Sequence, residues 1–360
     1  MQVRYLLNKF DWVILIIPCF LVLVGIMTFA NIGPSADAII ERQALFLVIG
    51  IFVMFLVSLF DYRIFKNYSA ASVSFYVVTI LLLLLTLASR EIRGVNSWLS
   101  FGAYSLEPSE LAKLSLIILL AKYFSQKHVH IYYVRHIIAS GFYAAVPAFL
   151  VFIQPDLGSA VVLIMIWGVM LLSSGVKKKH FGAIVLVGLV AAVSTWIFIL
   201  KPYQKIRITT FLNPYIDPRG EGYSIIQSRI TTGSGRIFGT AWSRDTDSMP
   251  VLVPEPYTDF TFSVFSQKFG FIGIAVIIGA FIFLSIRIVS LVNMTNNNFA
   301  KLFSLGMLTL IFTHVFINAG MNIGLLPITG IPFSFISYGG SHLLTLFLSL
   351  GIIESIRLHS

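Results

Sequence analysis

The chain has 360 residues, of which 57% are hydrophobic and 11% charged, with a mean hydropathy of +0.90 and a formal net charge of +10. A soluble domain carries roughly 25% charged residues, so this composition excludes a water-soluble globular protein. The apolar runs do not alternate polar and apolar residues, which excludes a transmembrane β-barrel.

What remains is an all-α, polytopic integral membrane protein built as one domain over residues 1–360. Apolar runs near the ~20 residues that cross a ~30 Å hydrocarbon core predict ten spans. They fall at 12–30, 43–60, 68–88, 108–125, 136–153, 157–174, 181–200, 261–286, 300–320 and 340–356. The first run exceeds the roughly 7–15 apolar residues of a signal peptide, and removing it would leave an odd number of spans. It is therefore expected to stay as a membrane helix. It also holds Cys19, the only cysteine, so no disulfide can form within the chain. The last span begins beside the polar, glycine-rich Ser337-Tyr338-Gly339-Gly340-Ser341.

Charge orients the spans. With the N-terminus inside, the inner segments hold 13 cations, among them Lys177, Lys178 and Lys179, against three acids, Asp11, Asp61 and Glu354. Everything else holds 12 cations and 12 acids. The whole net charge thus sits on one face, and both termini are expected to be cytoplasmic. These cations flank spans and form no patch with interleaved aromatics, so a nucleic-acid partner is not indicated.

Ionisable and polar residues within the bilayer are costly and mark sites by default. Three groups stand out in chain order. In Glu107-Pro108-Ser109-Glu110-Leu111-Ala112-Lys113, Pro108 suits the first helical turn and acids there complement the helix dipole. Lys113 follows Glu110 at i+3 and shares its face. The two read either as a structural ion pair or as the wall of a polar cavity for an anionic or sugar ligand. In Gln154-Pro155-Asp156-Leu157-Gly158, Asp156 reads first as the cap of the sixth span. His314, Asn318 and Asn322, spaced by four, form one stripe on the ninth span; such residues commonly bond neighbouring helices, and lining a cavity is the sharper alternative.

The 201–260 segment is the one long excursion outside the spans. Residues 222–230 look like a short amphipathic helix, with Tyr223, Ile226 and Ile230 on one side and Gln227 opposite, suited to the interface or the bundle mouth. Glycines follow near Arg236, and Pro250, Pro254 and Pro256 stiffen the approach to Asp259. Asp259 reads either as a cap for the helix beginning at Phe260 or as a general base held at a cavity mouth. No phosphate-binding loop, serine elbow or zinc-spaced cluster is present in the sequence.

Taken together these segments resemble the SEDS family (shape, elongation, division and sporulation), its RodA branch in particular. Asn96-Ser97-Trp98-Leu99 with residues 107–113, Gln154-Pro155-Asp156-Leu157-Gly158, and Arg207 to Pro214 with Asp217-Pro218 and Gly222-Tyr223 are similar to the family's stretches. So are Pro254-Glu255-Pro256-Tyr257-Thr258-Asp259-Phe260, residues 324–332 and residues 337–341. The resemblance implies a peptidoglycan glycosyltransferase of the bacterial cytoplasmic membrane that polymerises lipid II during cell-wall elongation and rod-shape maintenance. Its partner would be a class B penicillin-binding transpeptidase, among membrane lipids. The family's essential aspartate falls on Asp259, and its cavity acid and lysine on Glu110 and Lys113. Arg207, Gln227, Arg229, Asp156 and Asn318 are the further candidate substrate contacts. Arg207, Arg229, Arg236 or Lys113, with or without a divalent cation (Mg or Mn), would offset the charge of a departing pyrophosphate. Rival readings are a lipid II flippase and a non-enzymatic scaffold for the transpeptidase. The chain departs from the family pattern at Ser97, Glu107, Gln267, Lys268, Ser334 and His342.

Overall fold

The computed structural model describes residues 10–88, 97–102, 104–127, 134–199, 202–218, 220–241 and 253–359. Its helices are α1 (Trp12–Phe29), α2 (Ala36–Leu59), the short α3 (Arg63–Asn67), α4 (Ser69–Leu87), α5 (Pro108–Lys127), α6 (Val134–Ile153) and α7 (Leu157–Ser173). They continue as α8 (Lys178–Ser194), α9 (Pro202–Leu212), α10 (Glu221–Ser234), α11 (Thr261–Asn293), α12 (Asn298–Asn322) and α13 (Gly340–His359). Each expected span is answered by one helix, and seven of these are long and apolar enough to cross a membrane by themselves. The other three are α5, which carries charges, α7, which is short, and α8, which runs on through a π-helical turn at Thr195–Ile199.

Helix and apolar run do not coincide at the ends. α2 starts at Ala36, ahead of the run at 43, because its polar first turns, with Asp37 near the N-terminus, are helical but lie outside the apolar stretch. α11 is broken at Gly270, whose φ of 65° is non-helical. There Phe271 and Ile272 donate their N–H groups to Arg236 O and Ile237 O at 2.9 and 3.1 Å instead of to their own helix. A hairpin that the sequence reading lacked, Leu99–Phe101 against Tyr104–Leu106, leads into α5.

The packing follows from hydrocarbon as the outer solvent. Ile16, Phe52 and Phe316 point outward on α1, α2 and α12. The least apolar of the seven spans, α13, is the most buried, with 83% of its central window inside the protein. A helix surrounded by protein can carry Ser, Thr, His and Glu side chains, and α13 does. At the inner end, Asp11 caps α1 by accepting from Val13 N at 3.0 Å, takes Arg287 at 2.6 Å and Arg357 at 3.2 Å, and donates its own N–H to Glu354 Oε1 at 2.8 Å. That network ties α1, α11 and α13 on the expected cytoplasmic side.

The 201–260 excursion is largely helical, through α9, a 3₁₀ turn at Pro214–Ile216 and α10. α10 lies where a helix was expected, but its faces are reversed with respect to a soluble helix. Gly222, Ile225, Ser228 and Thr231 face the protein, whereas Tyr223 and Ile230 are exposed. Small and hydroxyl side chains let α10 approach α11, with Ser228 Oγ 2.6 Å from Ser263 Oγ. The apolar stripe is left for the membrane interface.

The charge asymmetry predicts that this excursion is extracytoplasmic. Tyr215, 78% exposed, replaced by cysteine in a Cys19→Ala background, is expected to react with an impermeant thiol reagent in intact spheroplasts. Labelling only after lysis would reverse the orientation.

Candidate active site

Asp259 lies in the turn before α11 and is partly exposed. The N-cap position of α11 falls one residue later, on Phe260, which makes no side-chain cap. The main chain at Asp259 is tightly held. Asn318 Nδ2 and Asn322 Nδ2 donate to Asp259 O at 3.0 and 2.9 Å. Ser337 Oγ donates to Thr258 O at 2.7 Å, and Tyr338 N to Tyr257 O at 2.8 Å. The proline-rich approach is thus bolted to the Ser337-Tyr338 loop. The carboxylate faces Gly330, where a Cβ would stand 3.7 Å from Asp259 Oδ2 and where φ is +72°, a conformation only glycine adopts without strain.

Asn318 also donates to Ile331 O at 2.7 Å, so both of its amide hydrogens go to main-chain carbonyls of two loops. Asn322 accepts from Ser263 N at 3.2 Å and joins α12 to α11. The 154–158 turn closes on the same place: Gly158 touches Thr329 O so closely that a Cβ would sit 2.7 Å from it. Asp156 caps α7, accepting from Ser159 N at 2.9 Å. Five motif segments that are distant in sequence thus meet around residues 329–332.

Glu110 and Lys113 form the ion pair expected from their spacing, at 2.8 Å, with both side chains buried. Two histidines complete the cluster. Lys113 Nζ lies 3.2 Å from His314 Nε2, and His342 Nδ1 lies 2.9 Å from Glu110 Oε2. The two imidazoles stack with centroids 4.5 Å apart. These contacts join positions 201 and 232 residues apart, which no local spacing reveals. His342 was visible in the sequence only as a departure.

Among the remaining candidates, Arg229 is exposed on α10 and its Nη2 donates to Gly324 O at 3.0 Å. Gln227 sits half-buried on the same helix. Arg207 is on α9, and its side chain lies outside the described residues. Lys268, a departure from the family pattern, donates to Ala30 O and fastens α11 to the end of α1.

Glu107, just ahead of α5, has a carboxyl pushed up to about 8 by burial and by the nearby Glu110 and Asp156 carboxylates. Its Oε1 accepts from Ser109 Oγ at 2.7 Å. Near neutral pH it is therefore protonated and behaves as a neutral side chain, much like glutamine. A raised folded-state pKa means that the protonated form stabilises the fold at low pH. That contribution is lost as pH rises from the ordinary value of 4.5 through about 8. Glu107→Gln is expected to remove this dependence, so that its melting temperature gains steadily on the wild type across that interval. Parallel melting curves across the interval would show that Glu107 is already ionised.

For a divalent cation, Glu110, His314 and His342 are the one group of three ligand-type side chains within reach of one another among the described residues. One carboxylate and two imidazoles do not suit Mg²⁺ or Mn²⁺, which prefer oxygen ligands, and the Lys113 ammonium stands against two of these residues' atoms. No catalytic step is therefore routed through such an ion.

The profile of a family described as "Cell cycle protein", covering FtsW, RodA and SpoVE, matches residues 6–360. Stage V sporulation protein E of Bacillus subtilis is 33% identical over 359 residues, covering 97% of each chain. Peptidoglycan glycosyltransferase MrdB of Escherichia coli is 32% identical over 321 residues, covering 89% of this chain and 85% of its own. Among solved structures, a chain from a peptidoglycan synthase complex described as coordinating polymerization and crosslinking superposes with a TM-score of 0.82 at 26% identity over 97% of both chains. RodA of Thermus thermophilus superposes with a TM-score of 0.71 at 25% identity, over 97% of this chain and 96% of its own. With one profile spanning the chain almost end to end, the protein belongs to the FtsW, RodA and SpoVE family, the SEDS proteins.

Proposed function

We infer that this protein is a peptidoglycan glycosyltransferase of the bacterial cytoplasmic membrane, polymerising lipid II for cell-wall elongation, with Asp259 as general base. The observation that carries the reading is the setting of Asp259. Its main chain is clamped by two asparagines, the residue stays partly exposed with its carboxylate beside Gly330, and the Ser337-Tyr338 loop is hydrogen-bonded to the turn that carries it. A base must be held where an acceptor can reach it, and this one is.

In the reaction, a hydroxyl oxygen of the acceptor sugar attacks the anomeric carbon of the lipid-linked donor. The bond from that carbon to the pyrophosphate oxygen breaks, the hydroxyl proton passes to Asp259, and the pyrophosphate leaves with the electron pair. One displacement inverts the anomeric configuration. The exposed cation Arg229, held beside the 324–330 loop, is placed to offset the phosphate charge, with Arg207 as a second cation in the same excursion. Gln227 and Asp156 are proposed as polar contacts of the sugars. Asn318 serves the site by bracing Asp259. Lys113 is committed to Glu110 and His314, so its role toward substrate requires that cluster to open. The outward stripe of α10 lies against membrane lipids, where a polyprenyl chain would approach, and a class B penicillin-binding protein is the expected partner.

The test is polymerisation of purified lipid II by the purified protein, alone and with its transpeptidase. Glycan strands on a gel are the expected product. Transbilayer movement of lipid II without polymer, in either condition, would favour the flippase reading instead.

A further inference from the structure

The inner end of the bundle carries a polar cavity that has no part in the glycosyltransferase reading. It measures about 470 Å³ and opens between the short α3, the end of α5 and the turn from α11 to α12. Lys66, Asn67, Ser125, Gln126 and the asparagine turn at 296–298 line it. Among the described residues no carboxylate does, and the volume falls within the roughly 300–1,000 Å³ of small-molecule sites. The cation asymmetry places this end of the bundle in the cytoplasm.

Lys122 stands one turn in from Ser125 and Gln126, on the same face of α5. Its side chain is 5% exposed, and its Nζ has no hydrogen-bond partner among the described residues. A buried ammonium without a counter-charge is costly and calls for a physical cause. Its direction follows from the packing. Ser115, seven residues earlier on that face, meets Thr79 of the antiparallel α4, with their hydroxyl oxygens 2.8 Å apart. Lys122 is therefore level with Ser72, in the first turn of α4, whose Oγ donates to Phe65 O of α3 at 2.7 Å. The next residues of α3, Lys66 and Asn67, form the cavity wall.

The opposite wall is the start of α12. Asn297 caps that 25-residue helix, its Oδ1 accepting from Phe299 N at 3.1 Å, so the positive end of a long helix stands at the cavity. Asn297 Nδ2 and Ser125 Oγ are committed to Tyr62 Oη and Lys122 O, at 2.8 Å each. The Asn67, Gln126, Asn296 and Asn298 amides are the other donors on the wall. Donors on three elements suit a tetrahedral oxyanion, whose oxygens point several ways, better than a planar carboxylate.

We propose that this cavity binds a phosphate group, held by the Lys122 and Lys66 ammonium groups at the N-terminus of α12. A soluble phosphate and the headgroup phosphate of an anionic lipid in the inner leaflet present the same chemistry to it.

The experiment uses the full chain in detergent, washed free of lipid. Melting curves are recorded with inorganic phosphate, and separately with dioleoylphosphatidylglycerol against phosphate-free dioleoylglycerol; a ligand that binds the folded state raises the melting temperature. Expected is a saturable rise with at least one phosphate probe and none with dioleoylglycerol. The probe that acts at the lower concentration assigns the source. Lys122→Met keeps the aliphatic length without the charge and should weaken phosphate by about tenfold or more, the loss of one charge-assisted contact. Lys66→Gln, on the exposed rim, should weaken it without disturbing the fold, and carries the test if Lys122→Met does not fold. The readout is independent of polymerisation, so it succeeds or fails apart from the glycosyltransferase reading. No saturable rise with either phosphate probe, an equal rise with dioleoylglycerol, or an affinity unchanged in either folded variant overturns the proposal.

Discussion

Asp259→Asn is expected to leave a protein that folds, inserts and still captures its transpeptidase, yet makes almost no glycan from lipid II. Asparagine keeps the size of the side chain and much of its hydrogen bonding but cannot take a proton as a carboxylate does. Loss of a general base typically costs ~10²–10⁴ in rate. The structure sharpens the expectation in two ways. The N-cap of α11 is Phe260, so helix capping is not what Asp259 supplies. The braces from Asn318 and Asn322 go to its main-chain oxygen and do not depend on the side chain, so they survive the substitution. The measurement is glycan product per enzyme, beside partner pull-down and a melting curve. Wild-type polymerisation by Asp259→Asn would end the assignment of this residue as base. A matching loss of stability and activity would make it a structural residue.

The membrane architecture was legible because a helix in lipid must be both long and apolar, and those properties are written locally. What is not local was not legible. Glu110 and Lys113 share a helical face and could be paired on paper, but His314 and His342 reach them only after α12 and α13 pack against α5. The stripe of His314, Asn318 and Asn322 was readable as a stripe, while its targets, the carbonyls of Asp259 and Ile331, were not. α10 was readable as a helix but not in its choice of packed face. Its helical period was legible and two placements, interface or bundle mouth, stood open; the hydroxyl and glycine face packs on the protein while Tyr223 and Ile230 stay exposed, a choice that depends on the neighbouring α11. The short hairpin at 99–106 and the break at Gly270 were missed because one rests on pairing between strands and the other on main-chain bonds to the distant turn at Arg236 and Ile237, neither of which a periodicity argument sees.

The same packing joins the candidate base to the buried cluster. His314 holds Pro332 O, and one turn further along α12 Asn318 holds Ile331 O and Asp259 O. The cluster and the loop that faces Asp259 are thus joined by one face of α12, which holds two adjacent loop carbonyls, Ile331 O and Pro332 O.

That connection gives the second large effect. Glu110→Ala removes the acceptor of both Lys113 and His342 in a site without water access, and leaves an ammonium that the remaining His314 contact cannot neutralise. Removing one partner of a buried pair typically costs ~3–5 kcal/mol, much of it the penalty of the charge left behind. Lys113→Met alone strands the Glu110 carboxylate, though His342 still contacts its other oxygen at 2.9 Å, so its cost should be the smaller of the two. The double variant Glu110→Ala/Lys113→Met carries no unpaired charge and should be more stable than the sum of the single losses by ~0.5–3 kcal/mol, the coupling expected of residues in contact. Chemical or thermal unfolding in detergent gives the cycle. Strict additivity would mean that the ammonium and carboxylate do not share their charge in the folded protein. The double variant should still lack full activity, because His314 and the 331–332 carbonyls lose the neighbour that sets their position. Recovery of stability without recovery of polymerisation would place the cluster in positioning the active site rather than only in holding the bundle together.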